Sequence, residues 1–152
     1  MSFLNAVINK VEDEDLRERL QERVDLVQHK IKFMDKVAVA CLDSQNAPVK
    51  DLESLLSEVG GVLEEDIAQA RVLIYQEEGS SMLQLMGTVP ALLDTSWPSV
   101  AYSRVYLWDD QGAVFEDASS AVAAMEDLAE LLYPGYFVFG NEGKRWISFK
   151  TQ

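Results

Sequence analysis

The strongest constraint on this chain is a pair of apolar patterns that together run from Leu16 to Ile74. Apolar residues recur in both at steps of three and four, which places them on one side of a helix. The first pattern comprises Leu16, Leu20, Val24, Val27, Ile31, Met34, Ala38 and Cys41, and the second comprises Leu52, Leu56, Val59, Leu63, Ile67, Ala70 and Ile74. A polar turn at 43–48 separates them, so the spacing predicts a long antiparallel helical hairpin.

The second predicted helix contains Gly60-Gly61. Two glycines inside a helix cost about 1 kcal/mol each relative to alanine. The apolar period passes through them without a slip, which favours a continuous helix that another backbone approaches closely. A break into two helices is the alternative. Before the hairpin, residues 3–11 predict a short helix, and the acids after them predict a new helix start near Asp13.

The periodicity changes at Tyr102, where β-type runs replace helical ones. Residues 104–108 and 113–115 flank a turn signal at 109–112, and residues 136–139 and 145–149 flank another at 140–143. Between the two predicted hairpins lies a helical pattern with cap candidates that begin at Asp117. We therefore predict an α+β fold, in which the long N-terminal helical hairpin precedes a ββαββ unit with a mostly antiparallel four-stranded sheet.

A length of 152 residues suits a single domain that spans 1–152. Within it, residues 1–79 form the predicted helical part and residues 102–152 the ββαββ part. Residues 80–101 form a connecting segment, where Ser80 and Ser81 predict the cap of a short helix.

The formal net charge of −13 is unevenly distributed along the chain. Residues 51–143 contain 17 acids but only two basic residues, Arg71 and Arg104. Such a surface repels phosphate groups, so we expect no nucleic-acid partner. The imbalance favours a protein partner with a basic surface, or solubility alone.

The sequence predicts a cytoplasmic protein without a membrane partner. No apolar run approaches the roughly 18 residues that cross a bilayer. The first ten residues lack the charged, apolar and cleavage regions of a signal peptide. The one cysteine, Cys41, falls on an apolar pattern, which is typical of a reduced core residue.

No arrangement of residues points to catalysis. His29 is the only histidine, and its position predicts the flank or outer face of a helix without a neighbouring nucleophile. One cysteine and one histidine cannot form a structural zinc site, and the glycines match neither phosphate-binding spacing. The acidic pairs lack the spacing of a calcium loop. We therefore expect no enzyme activity, no metal and no cofactor.

These observations favour a small acidic protein that binds, neutralises or escorts another protein, as an immunity protein, antitoxin or chaperone does. The predicted partner-binding residues combine aromatic and acidic side chains: Tyr106, Trp108, Asp109, Asp110, Phe115, Glu116 and Asp117. Strand alternation sends Val105 and Leu107 to the inner face, and leaves Tyr106 and Trp108 under the helical hairpin or exposed. A structural or adaptor subunit that forms homo-oligomers through the hairpin is the alternative, and a carboxylate- or metal-dependent enzyme is a third.

Overall fold

The computed structural model describes residues 3–50, 52–77, 79–109 and 117–149. These residues form helices and strands in an alternating order along most of the chain. The helices are α1 (Phe3–Asn9), α2 (Glu14–Ile31), α3 (Glu53–Glu58), α4 (Met82–Thr88), α5 (Pro98–Ala101) and α6 (Ala118–Leu132). The strands are β1 (Val37–Leu42), β2 (Gly61–Leu63), β3 (Val72–Tyr75), β4 (Val105–Trp108) and β5 (Trp146–Phe149). Two 3₁₀ turns cover Ile67–Gln69 and Val89–Leu92.

The five strands form one mixed sheet in the order β2-β1-β3-β4-β5. The first four are parallel, and β5 pairs antiparallel with β4. Parallel neighbours require crossover connections, and helices or 3₁₀ turns lie on the connections between these strands. The fold is therefore α/β with a five-stranded, mostly parallel sheet. The predicted mostly antiparallel four-stranded sheet is wrong.

The predicted helical hairpin is also wrong, although its first half exists. Helix α2 ends at Ile31, and the rest of the first pattern continues into β1. The second pattern breaks into α3, β2, a 3₁₀ turn and β3. Strands in parallel sheets are covered on both faces and are therefore apolar without interruption, as in Val37–Leu42 and Val72–Tyr75. Such runs also contain apolar pairs at helical spacing, so periodicity alone cannot separate the two structures.

Several local predictions are confirmed. Asp13 caps α2, and Ser81 forms a capping box with Gln84 at the start of α4. Asp117 caps α6, the predicted helix between the two β regions. Residues 105–108 and 146–149 are strands as predicted, whereas residues 136–139 form no strand. The predicted turn and strand at 110–115 lie outside the described residues.

Helices pack on both faces of the sheet and bury two separate cores. Helices α1, α2, α3 and α6 cover one face, where Tyr106 and Trp108 are buried. Helices α4 and α5 with the 3₁₀ turns cover the other face, where Val105 and Leu107 are buried. The predicted alternation of β4 is therefore confirmed, and its aromatic side chains are covered. Within the described residues, no helix combines the length and apolarity that crossing a membrane requires.

The predicted continuous helix is interrupted at Gly60. Helix α3 ends at Glu58, and β2 begins at Gly61. Gly60 has a φ of +85°, which favours glycine, and a Cβ atom there would overlap the hydroxyl group of Tyr133. The predicted approach of another backbone is therefore wrong at Gly60: the group that comes close is the side chain of Tyr133, which follows α6.

Candidate functional site

The carboxyl ends of β1, β3 and β4 lie at one edge of the sheet because these strands are parallel. From β1 the chain passes through α3 to β2 on one side, whereas β3 lies on the other side and leads through α4 and α5 to β4. Helices α3 and α4 cover opposite faces, so the connections after β1 and β3 diverge. In doubly wound sheets, ligands bind in the crevice that such a reversal of strand order creates.

We call this region the carboxyl edge. It comprises residues 43–47 after β1, Gln76 and Glu77 after β3, Asp109 after β4 and Asp117 before α6. All of these residues except Ala47 are polar. Polar residues are expected here because the chain leaves the buried strands and returns to the solvent-exposed surface.

Side-chain hydrogen bonds join the loops after β1 and β3. Ser44 Oγ donates to Glu77 Oε1 at 2.6 Å. Tyr75 Oη donates to Asn46 Oδ1 at 2.7 Å, and burial raises the pKa of Tyr75 to about 12. The tyrosine therefore remains a neutral donor at physiological pH. The two sides of the crevice are thus held in a defined relative position before any ligand binds.

The neighbouring strands β3 and β4 end in polar groups without a hydrogen-bond partner in the described parts of the chain. Leu42 pairs with Tyr75 and Tyr75 with Leu107, so the same register places Asp43, Gln76 and Trp108 side by side. Alternation directs all three towards the face that α3 and α6 cover. Gln76 is 2% exposed and Trp108 is 1% exposed. Gln76 Oε1 and Trp108 Nε1 nevertheless have no hydrogen-bond partner among the described residues.

An unpaired buried polar group costs roughly 1–3 kcal/mol, so each one in a native protein requires an explanation. Here a buried acceptor and a buried donor lie at the carboxyl ends of the adjacent strands β3 and β4, next to the reversal point between β1 and β3. This arrangement matches a ligand that offers both a donor and an acceptor, such as a hydroxyl group.

The electrostatics of the carboxyl edge are acidic. Asp43, Glu77, Asp109 and Asp117 contribute four carboxylates. Hydrogen bonds from Ser120, including its backbone N–H at 2.7 Å, hold the pKa of Asp117 below its usual range. The carboxylates are not clustered as ligands: no group of three or more metal-binding side chains occurs in the described parts of the chain. The edge therefore favours neutral or cationic ligands over anions.

A cavity of about 180 Å³ provides space beside this edge. It lies over the ends of β1 and β2 and includes Leu42, the residue before Asp43. Three glutamates and one lysine contribute to its lining: Glu53, Glu64, Glu65 and Lys50. Cys41 also lines this cavity but is buried, as its apolar position predicted.

The structure brings only part of the predicted partner-binding set to the carboxyl edge. Asp109 is half-buried at the end of β4, and Asp117 is exposed at the start of α6. Tyr106 and Trp108 are buried beneath the helices, with 5% and 1% of their surface exposed. Asp110, Phe115 and Glu116 lie outside the described residues. That Asp109 and Asp117 contact a partner stays a prediction.

Sequence reasoning missed Ser44, Gln76 and Glu77. Polar residues that directly follow apolar runs mark the carboxyl ends of buried strands, and Asp43-Ser44 and Gln76-Glu77 have this position. The helical spacing within both apolar runs hides this signal. His29 is exposed on α2, on the outer side of the helix as predicted.

The strand order and the carboxyl edge together define a doubly wound α/β domain. No protein-family model matches the chain, and no curated protein matches it. Among solved structures, the chain is similar to an ABC transporter substrate-binding protein from Listeria monocytogenes EGD-e, with 15% sequence identity and a TM-score of 0.59. The similarity covers 86% of this chain and 62% of that protein. At this identity the likeness shows the fold alone.

Proposed function

We propose that this chain is a non-catalytic binding domain for a small neutral or cationic molecule that carries at least one hydroxyl group. The observation that carries the proposal is the pair of buried groups Gln76 Oε1 and Trp108 Nε1, which lack a hydrogen-bond partner among the described residues. They lie at the carboxyl ends of the adjacent strands β3 and β4, next to the reversal point between β1 and β3. A ligand donor would satisfy the glutamine, and a ligand acceptor would satisfy the indole. The surrounding carboxylates would exclude anions.

Two further observations support a binding role. The structurally similar Listeria protein is described as a substrate-binding protein, and this chain spans 62% of its length. At the carboxyl edge, the described residues include one serine, Ser44, but no histidine or cysteine that could act as base or nucleophile. Gln76 and Trp108 are covered in the structure, so we expect a ligand to reach them by displacing a neighbouring side chain.

Gln76→Leu should weaken ligand binding by about tenfold or more while leaving stability unchanged or raised. The variant removes an acceptor whose hydrogen bond to the ligand is lost, but it also removes a polar group that is unpaired in the free protein. Thermal-shift screening of polyols, amino alcohols and dicarboxylates at constant ionic strength would first identify a ligand class. Calorimetric titration of the best compound would then give its Kd for each variant.

Ser99→Ala is the matched control for this experiment. Ser99 is also fully buried, and its hydroxyl group has no hydrogen-bond partner among the described residues, but it lies in α5, away from the carboxyl edge. The control should keep the wild-type Kd. Equal Kd values for Gln76→Leu and wild type, or a preference for the dicarboxylates, would contradict the proposed function.

A protein partner with a basic surface is the second candidate, of the immunity, antitoxin or chaperone type. The four carboxylates of the carboxyl edge and the acidic excess of residues 51–143 favour it. The alternative of self-association through a helical hairpin loses its basis, because β1 follows α2 directly.

Asp109→Lys should lower the association rate of a co-purified basic partner several-fold and leave its dissociation rate nearly unchanged. Acidic groups near an interface attract a basic partner from a distance, and this effect weakens as salt is added. Surface-based binding kinetics at low and high salt would measure both rates. Asp94→Lys, an exposed acid in the chain between β3 and β4, is the matched charge control. Equal association rates for the two variants would argue against a partner at the carboxyl edge.

A further inference from the structure

A second cavity, of about 560 Å³, opens at the opposite edge of the sheet, where β3 and β4 begin. Its volume falls in the range of small-molecule sites. The lining residues are Ala68, Gln69, Arg71, Pro98, Tyr102 and Arg104. They come from the 3₁₀ turn before β3, from α5, and from the residues that immediately precede the two strands.

The charge of this cavity is opposite to that of the chain around it. Arg71 and Arg104 are the only basic residues between positions 51 and 143, and both line the cavity. None of the 17 acids of that segment is among its described lining residues. The cavity is therefore a local cationic site in a protein whose net charge is −13.

The two arginines have different roles. Arg104 is held against the face of the sheet that α6 covers. Its Nε donates to Tyr106 Oη at 2.8 Å, and its Nη2 donates to the carbonyl oxygens of Leu131 and Leu132 at 3.2 Å. Arg71 is exposed, and within the described parts of the chain its guanidinium group makes no hydrogen bond or ion pair to protein. Alternation along β3 places Arg71 on the opposite face, where α5 packs.

We propose that this cavity binds a small molecule through an anionic group, either a carboxylate or a phosphate. The guanidinium group of Arg71 offers paired N–H donors, the geometry that recognises both anions through two parallel hydrogen bonds. The exposed hydroxyl group of Tyr102 and the amide of Gln69 line the same cavity and can donate to the remaining oxygens. This site is separate from the acidic carboxyl edge, and its ligand class is opposite in charge.

Titration with inorganic phosphate and with succinate, each at constant ionic strength, would test the site and distinguish the two anions. Backbone amide NMR shifts should change first around residues 68–71 and 98–104. The anion that binds more tightly, phosphate or succinate, identifies the anionic group that the cavity prefers. Arg71→Gln should weaken binding of that probe by about tenfold or more, and Arg71→Lys should weaken it less because the charge remains.

Arg19→Gln is the matched control, since Arg19 is an exposed arginine on α2 and its loss changes the net charge equally. This variant should bind like wild type. Circular dichroism of each variant would confirm that it is folded. The proposal is overturned if neither probe shifts the residues around the cavity, or if Arg71→Gln and Arg19→Gln weaken binding by the same factor.

Discussion

Arg145→Met should lower the free energy of unfolding by about 3–5 kcal/mol at neutral pH, because it leaves a buried carboxylate without its counter-charge. Asp127 lies on α6 and its side chain is fully buried, with Arg145 Nε at 3.0 Å from its Oδ2. Asn141 Nδ2 donates to the other oxygen at 2.8 Å. These contacts attach the segment before β5 to α6. Denaturant unfolding, followed by circular dichroism, would measure the loss.

The stability of this variant should also depend on pH in a defined direction. Burial raises the pKa of Asp127, although Asn141 and Arg145 each favour the charged form. The Arg145 contact is an ion pair without hydrogen-bond alignment, and the arginine side chain is 37% exposed, so desolvation dominates. A carboxyl group whose pKa is higher in the folded state contributes stability that is complete below its unfolded pKa. That contribution is lost as pH rises through the folded pKa.

Removal of Arg145 raises the folded pKa of Asp127 further, so Arg145→Met should regain stability as pH falls from neutral through that pKa. The double variant Arg145→Met with Asp127→Asn is the control, because asparagine keeps the acceptor for Asn141 but carries no charge. The double variant should be more stable than Arg145→Met at neutral pH, and the difference should vanish in acid. A difference that is constant across pH would show that Asp127 is not the titrating group.

Gly60→Ala should cost roughly 2–4 kcal/mol, from two separate effects. A φ of +85° is unfavourable for alanine by about 1–2 kcal/mol. The new methyl group would also overlap the hydroxyl of Tyr133 and lie 3.3 Å from its Cζ. Tyr133 Oη donates to the carbonyl oxygen of Asp35 at 3.0 Å, so displacing the ring breaks a hydrogen bond as well.

Two comparisons separate these effects. Gly140 has a similar φ of +82°, and a Cβ atom added there would meet none of the described residues within 4 Å, so Gly140→Ala should show the conformational cost alone. In a Tyr133→Phe background the overlap with the hydroxyl is absent, and Gly60→Ala should cost less than in the wild type. Equal losses for Gly60→Ala in both backgrounds would mean that Tyr133 does not restrict this site. Unfolding free energies of wild type, the two single variants and the double variant form the required cycle.

The sequence correctly predicted several features that neighbouring residues determine. Asp13, Ser81 and Asp117 each accept a backbone hydrogen bond within three residues, so their roles as helix caps do not depend on the rest of the fold. The alternation of Val105, Tyr106, Leu107 and Trp108 follows from strand geometry alone. The acidic excess of residues 51–143 likewise required no structure.

Only the tertiary structure decided that Val37–Leu42 and Val72–Tyr75 are strands. Each run is apolar throughout, and a helix or a strand could bury it equally well. The choice depends on hydrogen bonds between β1 and β3, whose paired residues are 33 positions apart, as in Val39 with Val72. Because the strand order was not predictable, neither was the reversal point, and Gln76 and Glu77 could not be recognised as part of a site. Neighbouring residues determine the helix caps, and composition determines the charge distribution. The pairing of distant strands determines which polar side chains lie close together.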